Sequence, residues 1–359
     1  MTRDRTRLLK AGSLAIGGGS RVSVQTMCNV DPHDAAALSA QIESCARLGC
    51  DLIRLTVPDV ESATTLKEVR KSSPIPIVSD IHYDWHCALA AIDAGTDALR
   101  LNPGNIGARD RVQAVARAAK EKRIPIRIGV NFGSLEKDLE SKDRSGRIKP
   151  SEALVESALR HLAILEGEGF RDVAISAKAS NALETIATYR LLAERTDCPL
   201  HVGVTEAGTF LPGTVRNSVA LGVLLSEGIG DTIRVSLTAE PEKEVRVGME
   251  ILRSLGLRAP GPAITSCPTC GRTKIDLMRR AGEVEEAMEA YAMANPGAAV
   301  PHVAVMGCAV NGLGEAKGAD IALCGGAGDC SIFVKGELAA KVDGGLAARK
   351  VMEYVVSLR

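Results

Sequence analysis

Cys267-Pro268-Thr269-Cys270 is a Cys-x-x-Cys, and a third thiol, Cys308, stands further on in Gly307-Cys308-Ala309-Val310-Asn311-Gly312. Two thiolates on one tight loop and one on a facing loop can bind tetrahedral zinc or three irons of a cubane cluster. The fourth ligand separates these readings. Cys324 or Cys330 would complete a four-cysteine zinc site, whereas Glu315 would give three thiolates and one carboxylate. An oxygen ligand on one iron is labile, which suits a cluster that binds substrate as well as carrying electrons. Cys28, Cys45, Cys50, Cys87 and Cys198 are scattered and read as small buried hydrophobes.

A second constellation is cationic. Arg54, Arg100, Arg127, Lys178 and Arg234 each lie in or at the end of a short apolar run. A buried, unpaired cation is costly, so each needs an anionic partner. Asp80 and Glu206 could supply structural bridges to one or two. Acids near these runs are too few for all five, and a convergent set of that size matches a substrate bearing two phosphates, gripped through the arginine fork. Asn102, Asn131 and Ser236 stand at the ends of the same runs, and His82 follows Asp80 closely. Glu206, a carboxylate among cations, suits a proton-relay or orienting role.

The elements that must position these residues follow one rhythm. Apolar segments of strand length recur at residues 22–27, 52–57, 75–81, 98–101, 126–130, 173–177, 200–204 and 232–237, separated by stretches of helical spacing. Val245, Met249, Leu252 and Leu255 show that spacing. Gly49, Gly95, Gly169 and Gly230 close helices, and Asp51, Asp97, Asp172 and Asp231 follow just before the next strand. Eight such units over residues 1–258 predict an α/β fold, a (β/α)8 TIM-type barrel whose C-terminal rim carries the cations. A doubly wound sheet would place a glycine-rich phosphate loop after the first strand, and Gln25-Thr26-Met27-Cys28-Asn29 holds no glycine. Gly17-Gly18-Gly19-Ser20 precedes that strand and reads as a turn. Residues 136–149, highly charged, read as a solvated surface loop.

Past Pro260-Gly261-Pro262 the pattern changes. A helix over 273–294, a strand at 302–306, short strands near Ile321 and Ile332 and a final helix at 346–358 predict a small α+β domain over 259–359.

Composition bounds the function. The 359 residues carry 44 basic and 44 acidic side chains, and only 3% are aromatic. That balance argues against a nucleic-acid binder, since both a basic field and stacking surfaces are missing. No apolar run approaches the ~20 residues of a membrane span. The first residues lack the apolar stretch of a secretory signal, so a cytoplasmic protein without a disulfide framework is expected.

Ser266-Cys267-Pro268-Thr269-Cys270-Gly271-Arg272-Thr273, Gly307-Cys308-Ala309-Val310-Asn311-Gly312-Leu313-Gly314-Glu315-Ala316 and the strand-end set together resemble the 4-hydroxy-3-methylbut-2-enyl diphosphate synthases of the non-mevalonate isoprenoid pathway. The resemblance covers nearly the whole chain, in the bacterial two-domain form. It implies a [4Fe-4S] cluster held by Cys267, Cys270, Cys308 and Glu315 in the second domain. It also implies reductive opening and dehydration of 2-C-methyl-D-erythritol 2,4-cyclodiphosphate, with two electrons from reduced flavodoxin or ferredoxin. By position in the matching motifs, Arg54, Arg100, Arg127, Lys178, Arg234 and Ser236 would hold the diphosphate in the barrel domain. Asp80, Asn131 and Glu206 would line the pocket, with Glu206 nearest the chemistry. A head-to-tail homodimer is implied as well, the cluster domain of one chain capping the barrel of the other. One position departs from the family pattern: Leu313 stands where proline is usual, which leaves the loop backbone before Glu315 less rigid. Two other readings compete with this one. A TIM-barrel phosphate-ester or pterin-type transferase with a structural zinc explains the cations but not Glu315. A non-catalytic iron–sulfur redox sensor explains the thiols but leaves the cations idle.

Overall fold

The computed structural model describes residues 2–259, 261–295, 298, 300–308, 314, 316–326 and 328–358. Glu315 and Leu313 lie outside the described residues. The chain divides into two compact units, residues 1–258 and 259–359.

The first unit opens with a short antiparallel hairpin, β1 (Leu9–Ala11) and β2 (Leu14–Ile16). Eight parallel strands follow: β3 (Ser23–Met27), β4 (Leu52–Thr56), β5 (Ile77–Asp80), β6 (Ala98–Leu101), β7 (Ile126–Asn131), β8 (Val173–Lys178), β9 (His201–Val202) and β10 (Thr232–Ile233). Their order is β8-β7-β6-β5-β4-β3-β10-β9, and a parallel bridge between Ile175 and Leu200 closes the ring. The (β/α)8 barrel is as the strand rhythm predicts.

Three of the recurring aspartates have a shared task. The carboxylates of Asp51, Asp97 and Asp231 accept the backbone N–H of Val24, Ile77 and Leu200, each at 2.8 Å. Each thus satisfies a donor at the start of the adjacent strand, which would otherwise be buried unpaired.

Side chains alternate along each strand, so every barrel strand presents one set outward and one inward. The outward set, including Ile53, Leu55, Ile77, Leu99, Leu101, Ile126, Ile128, Ile175 and Ile233, forms the main core beneath the helices. The inward set is divided by height. At the N-terminal end Leu52, Val78, Ala98 and Ala174 cluster with Leu9, Ala11 and Ile16 of the hairpin, which thereby floors the barrel. Above that apolar floor most inward positions are polar or charged. The hairpin is not predicted from the strand rhythm, because three-residue strands carry too little periodicity. Nor do residues 136–149 remain a loop. A helix spans Lys137–Arg144, anchored by buried Leu139 and by Asp138, which accepts two hydrogen bonds from Arg160 at 2.9 and 3.0 Å.

The second unit is a five-stranded mixed sheet, β11 (Ile264–Ser266), β12 (Val303–Met306), β13 (Ile321–Gly325), β14 (Asp329–Val334) and β15 (Glu337–Asp343), in that order. The first three are parallel and the last two antiparallel. Helices Leu277–Ala294 and Ala347–Ser357 cover one face through Leu277, Val284, Met288, Val351 and Val355. A smaller cluster of Ala304, Met306, Ala322 and Cys324, with Cys267 against it, occupies the other face. The alternation on β13 and β14 therefore separates Cys324 from Cys330, which belongs to the helix-covered face.

The floor can be tested with two substitutions on one strand. Ala11→Asp places a carboxylate in the apolar floor and should remove at least ~2 kcal/mol of stability. Lys10→Asp, on the exposed side of the same strand, should stay within ~0.5 kcal/mol by urea denaturation.

Candidate active site

The polar upper half of the barrel interior forms a small cavity of about 90 Å³ that opens to solvent. It is lined by Arg54, Arg100, Arg127, Asn131, Ser176, Lys178, Thr205, Arg234 and Ser236, together with Gly129, Val130 and Val204. The five cations come from five strands because each sits at an inward position of its run. Two glycines make room for them. A Cβ at Gly129 would lie 2.2 Å from Arg100 Nε, and one at Gly203 would lie 2.1 Å from the Arg234 carbonyl oxygen and 3.0 Å from Lys178 Nζ.

Two carboxylates face these five cations. Asp80, fully buried, lies 3.5 Å from Arg54 and accepts from Arg100 Nη1 at 3.2 Å. Burial would push its carboxyl up, but Arg54 and Arg100 outweigh that and hold it below the usual carboxylate range. Glu244, on the helix Pro241–Ser254, accepts from Arg234 Nε at 3.2 Å. Arg127 donates through Nη1 to Gln25 Oε1 at 2.6 Å, while its Nε and Nη2 find no partner among the described residues. Lys178 likewise makes no ion pair among the described residues. Its ammonium is pulled well below the ordinary lysine range by burial and then by Arg234, Arg127 and Arg54. Burial pulls Arg54 down to about 10, against the attraction of Asp80. Arg127 moves strongly in the same direction, again through burial and neighbouring arginines. The cavity thus holds more positive than negative charge, with free donors on Arg127.

Arg54, Arg100, Arg127, Asn131, Lys178, Arg234 and Ser236 are thereby brought together. Asp80 stands behind two of the arginines rather than on the cavity wall. Glu206 is exposed beyond the rim, outside the cavity lining, and forms no ion pair among the described residues. Its backbone is left-handed, with φ 52°. For a residue with a Cβ that conformation costs about 1–2 kcal/mol, and such outliers concentrate at functional positions. The residues the sequence reading missed are Gln25, Thr26 and Glu244. Strand alternation could have found Gln25, which is in step with inward Ser23 and Met27; nothing in the local pattern marks Glu244.

The thiols of the second unit show a matching division. Cys267 and Cys308 are partly exposed and Cys270 exposed, while the other seven cysteines are buried. The Gly307 N–H points at Cys267 Sγ at 3.4 Å. Backbone and side-chain donors of Arg272, with Thr273, draw the Cys270 thiol below its ordinary range. These three thiols are accessible for ligation, and the buried ones are not. Among the described residues no three His, Cys, Asp or Glu side chains converge on a single-ion site.

Residues 6–249 match the model of the GcpE TIM-barrel domain, and residues 263–357 that of the GcpE protein C-terminal domain. The chain belongs to the GcpE family. It is 53% identical over 344 residues to the 4-hydroxy-3-methylbut-2-en-1-yl diphosphate synthase (flavodoxin) of Maridesulfovibrio salexigens, covering 96% of this chain and 94% of that one. It is 53% identical over 342 residues to the protein of the same name from Clostridium acetobutylicum, covering 95% of each. The Geobacter sulfurreducens relative, also so named, is 50% identical over 95% of this chain and 94% of its own. As a GcpE-family member the chain is an oxidoreductase of isoprenoid biosynthesis, and the transferase and redox-sensor readings are not favoured. The barrel also overlays a dihydropteroate synthase from Yersinia pestis, with TM-score 0.47 and 14% identity over 69% of this chain and 97% of that one; a likeness of that degree carries no argument for pterin chemistry.

The left-handed backbone at Glu206 yields a stability test. Glu206→Gly should stabilise the protein by about 1 kcal/mol in chemical denaturation, whereas Glu206→Ala, which keeps a Cβ, should not.

Proposed function

We propose that this chain carries out the reductive ring opening and dehydration of 2-C-methyl-D-erythritol 2,4-cyclodiphosphate to 4-hydroxy-3-methylbut-2-enyl diphosphate, in the cytoplasm and as a homodimer. The observation that carries this reading is the five-cation barrel mouth with two carboxylates, in a chain that matches both GcpE domain models. Arg54, Arg100, Arg127, Lys178 and Arg234 take the two phosphates, with Ser236 adding a hydroxyl. The free Nε and Nη2 of Arg127 are donors in want of an acceptor, and an anionic oxygen supplies one. An anion beside Lys178 favours the charged form of its ammonium. Asn131 orients the remainder of the ring from the end of β7.

The three accessible thiols and Glu315 are the residues we assign to a [4Fe-4S] cluster. The donor at Cys267 and the lowered thiol of Cys270 support that assignment. When bound, such a cluster would relay the donor's two electrons one at a time and supply a Lewis-acidic iron. Glu206 gives the departing hydroxyl the proton with which it leaves as water, and Asp80 keeps Arg54 and Arg100 aimed throughout. Electrons arrive from reduced flavodoxin or ferredoxin, flavodoxin being the donor in the relatives' name. Leu183, Leu211, Val215 and Val219 are exposed apolar residues on two neighbouring helices, candidates for a dimer contact. No described helix is long and apolar enough to cross a membrane.

Two substitutions separate the roles. Cys308→Ala should lose both cluster and turnover, while Glu206→Gln should lose turnover and keep the brown, iron-loaded protein. Iron content, visible absorption and conversion of the cyclodiphosphate under a chemical reductant check both. An active, colourless Cys308→Ala protein would overturn the assignment.

A further inference from the structure

Glu244 is a carboxylate at the edge of a site built for anions. A count of charges alone says that it weakens phosphate binding. Its geometry says otherwise. It is 4% exposed, and among the described residues its four hydrogen bonds run to the barrel rim. Oε2 accepts from Thr26 Oγ1 at 2.6 Å and from Arg234 Nε at 3.2 Å. Oε1 accepts from the Leu237 N–H at 2.9 Å and from Arg234 Nη2 at 3.4 Å. Both oxygens therefore engage one edge of the Arg234 guanidinium, and each is pinned in turn by a second donor from a different strand end. The carboxylate sits in the first turn of the helix Pro241–Ser254, where the positive end of the helix dipole favours an anion. The opposite side of the guanidinium is left to the cavity. Nη1 has Met27 Sδ at 3.8 Å as its partner among the described residues. A guanidinium is planar, so fixing one edge fixes the direction of the other.

We propose that Glu244, locked by Thr26 and the Leu237 N–H, is a positioning residue that aims Arg234 at the substrate's diphosphate. The inference rests on the reading of the barrel cations as the diphosphate site. Asp80 holds Arg54 and Arg100 from the far side of the barrel, so the two buried carboxylates divide the work of orienting three arginines between them. Neutralising Glu244 leaves an amide whose NH2 faces the donors of Arg234 and Thr26, and the guanidinium turns out of register.

The test titrates cluster-loaded enzyme with inorganic pyrophosphate by calorimetry and measures KM and kcat for the cyclic diphosphate. Four variants are compared with wild type: Arg234→Met, Glu244→Gln, the double variant and Thr26→Val. Glu244→Gln should weaken pyrophosphate binding and raise KM by about 10-fold, the scale of one charge-assisted hydrogen bond, with kcat within about 3-fold. The double variant should bind no worse than Arg234→Met alone, because Glu244 acts through that arginine. Thr26→Val should weaken binding by about 3-fold. Unchanged or tighter binding in Glu244→Gln, or an effect that adds in full to that of Arg234→Met, would overturn the proposal. If Glu244→Gln fails to fold, Thr26→Val decides, and unchanged affinity there overturns it. If Arg234→Met itself binds pyrophosphate like wild type, the diphosphate-site reading fails first, and Glu244 has nothing to aim.

Discussion

Uncompensated positive charge inside the barrel is the constraint on which the rest of this structure depends. Five cations in the barrel interior face two carboxylates, and burying an unpaired ion costs several kcal/mol. A fold can carry that only if the remainder of its interior is well made. The apolar floor supplied by β1 and β2, the continuous aliphatic layer under the helices and the aspartates that complete the strand starts all work in that direction. The depressed ammonium of Lys178 and guanidinium of Arg127 report the same tension from within. An anion bound among these cations would relieve it, and ligand affinity and fold stability would then draw on a single electrostatic term.

Orientation is handled separately from charge. Asp80 and Glu244 neutralise little of the total, yet between them they hold Arg54, Arg100 and Arg234 at defined edges. Gly129 and Gly203 contribute by absence, since a methyl at either would occupy the space of a cation or of the strand next to it. Glu206 spends backbone energy instead, held left-handed at the rim. In the second unit the same economy applies to sulfur. Ten cysteines are present, but only those at the ends of β11 and β12 and on the loop between them are accessible, and donors are already aimed at two.

Much of this was legible before any coordinates. An arginine inside a run that is apolar on both sides has to point into the barrel, so Arg54, Arg100, Arg127 and Arg234 announced the site by their surroundings. The Cys-x-x-Cys and the distant Cys308 did the same for the thiols. Glu244 was not legible, because one acid in the first turn of an amphipathic helix looks like any other dipole-favoured residue. The hairpin floor was hidden for a different reason: strands of three residues hold less than two periods of alternation. The helix Lys137–Arg144 was concealed by its charge, its single anchor Leu139 being too weak a signal against seven polar neighbours. Strands β9 and β10 are shorter than their apolar runs, since the chain leaves the ladder to form the cavity wall at Val204, Thr205, Arg234 and Ser236.

The most direct test of the central claim is thermal unfolding of wild type and Lys178→Met, each with and without inorganic pyrophosphate. If unpaired cations strain the interior until an anion arrives, Lys178→Met should melt higher than wild type in the absence of ligand. Wild type should gain about 2.7 kcal/mol at pyrophosphate 100-fold above its Kd, and the variant at the same concentration should gain far less. A Lys178→Met protein that melts lower than wild type and still responds fully to pyrophosphate would contradict the account.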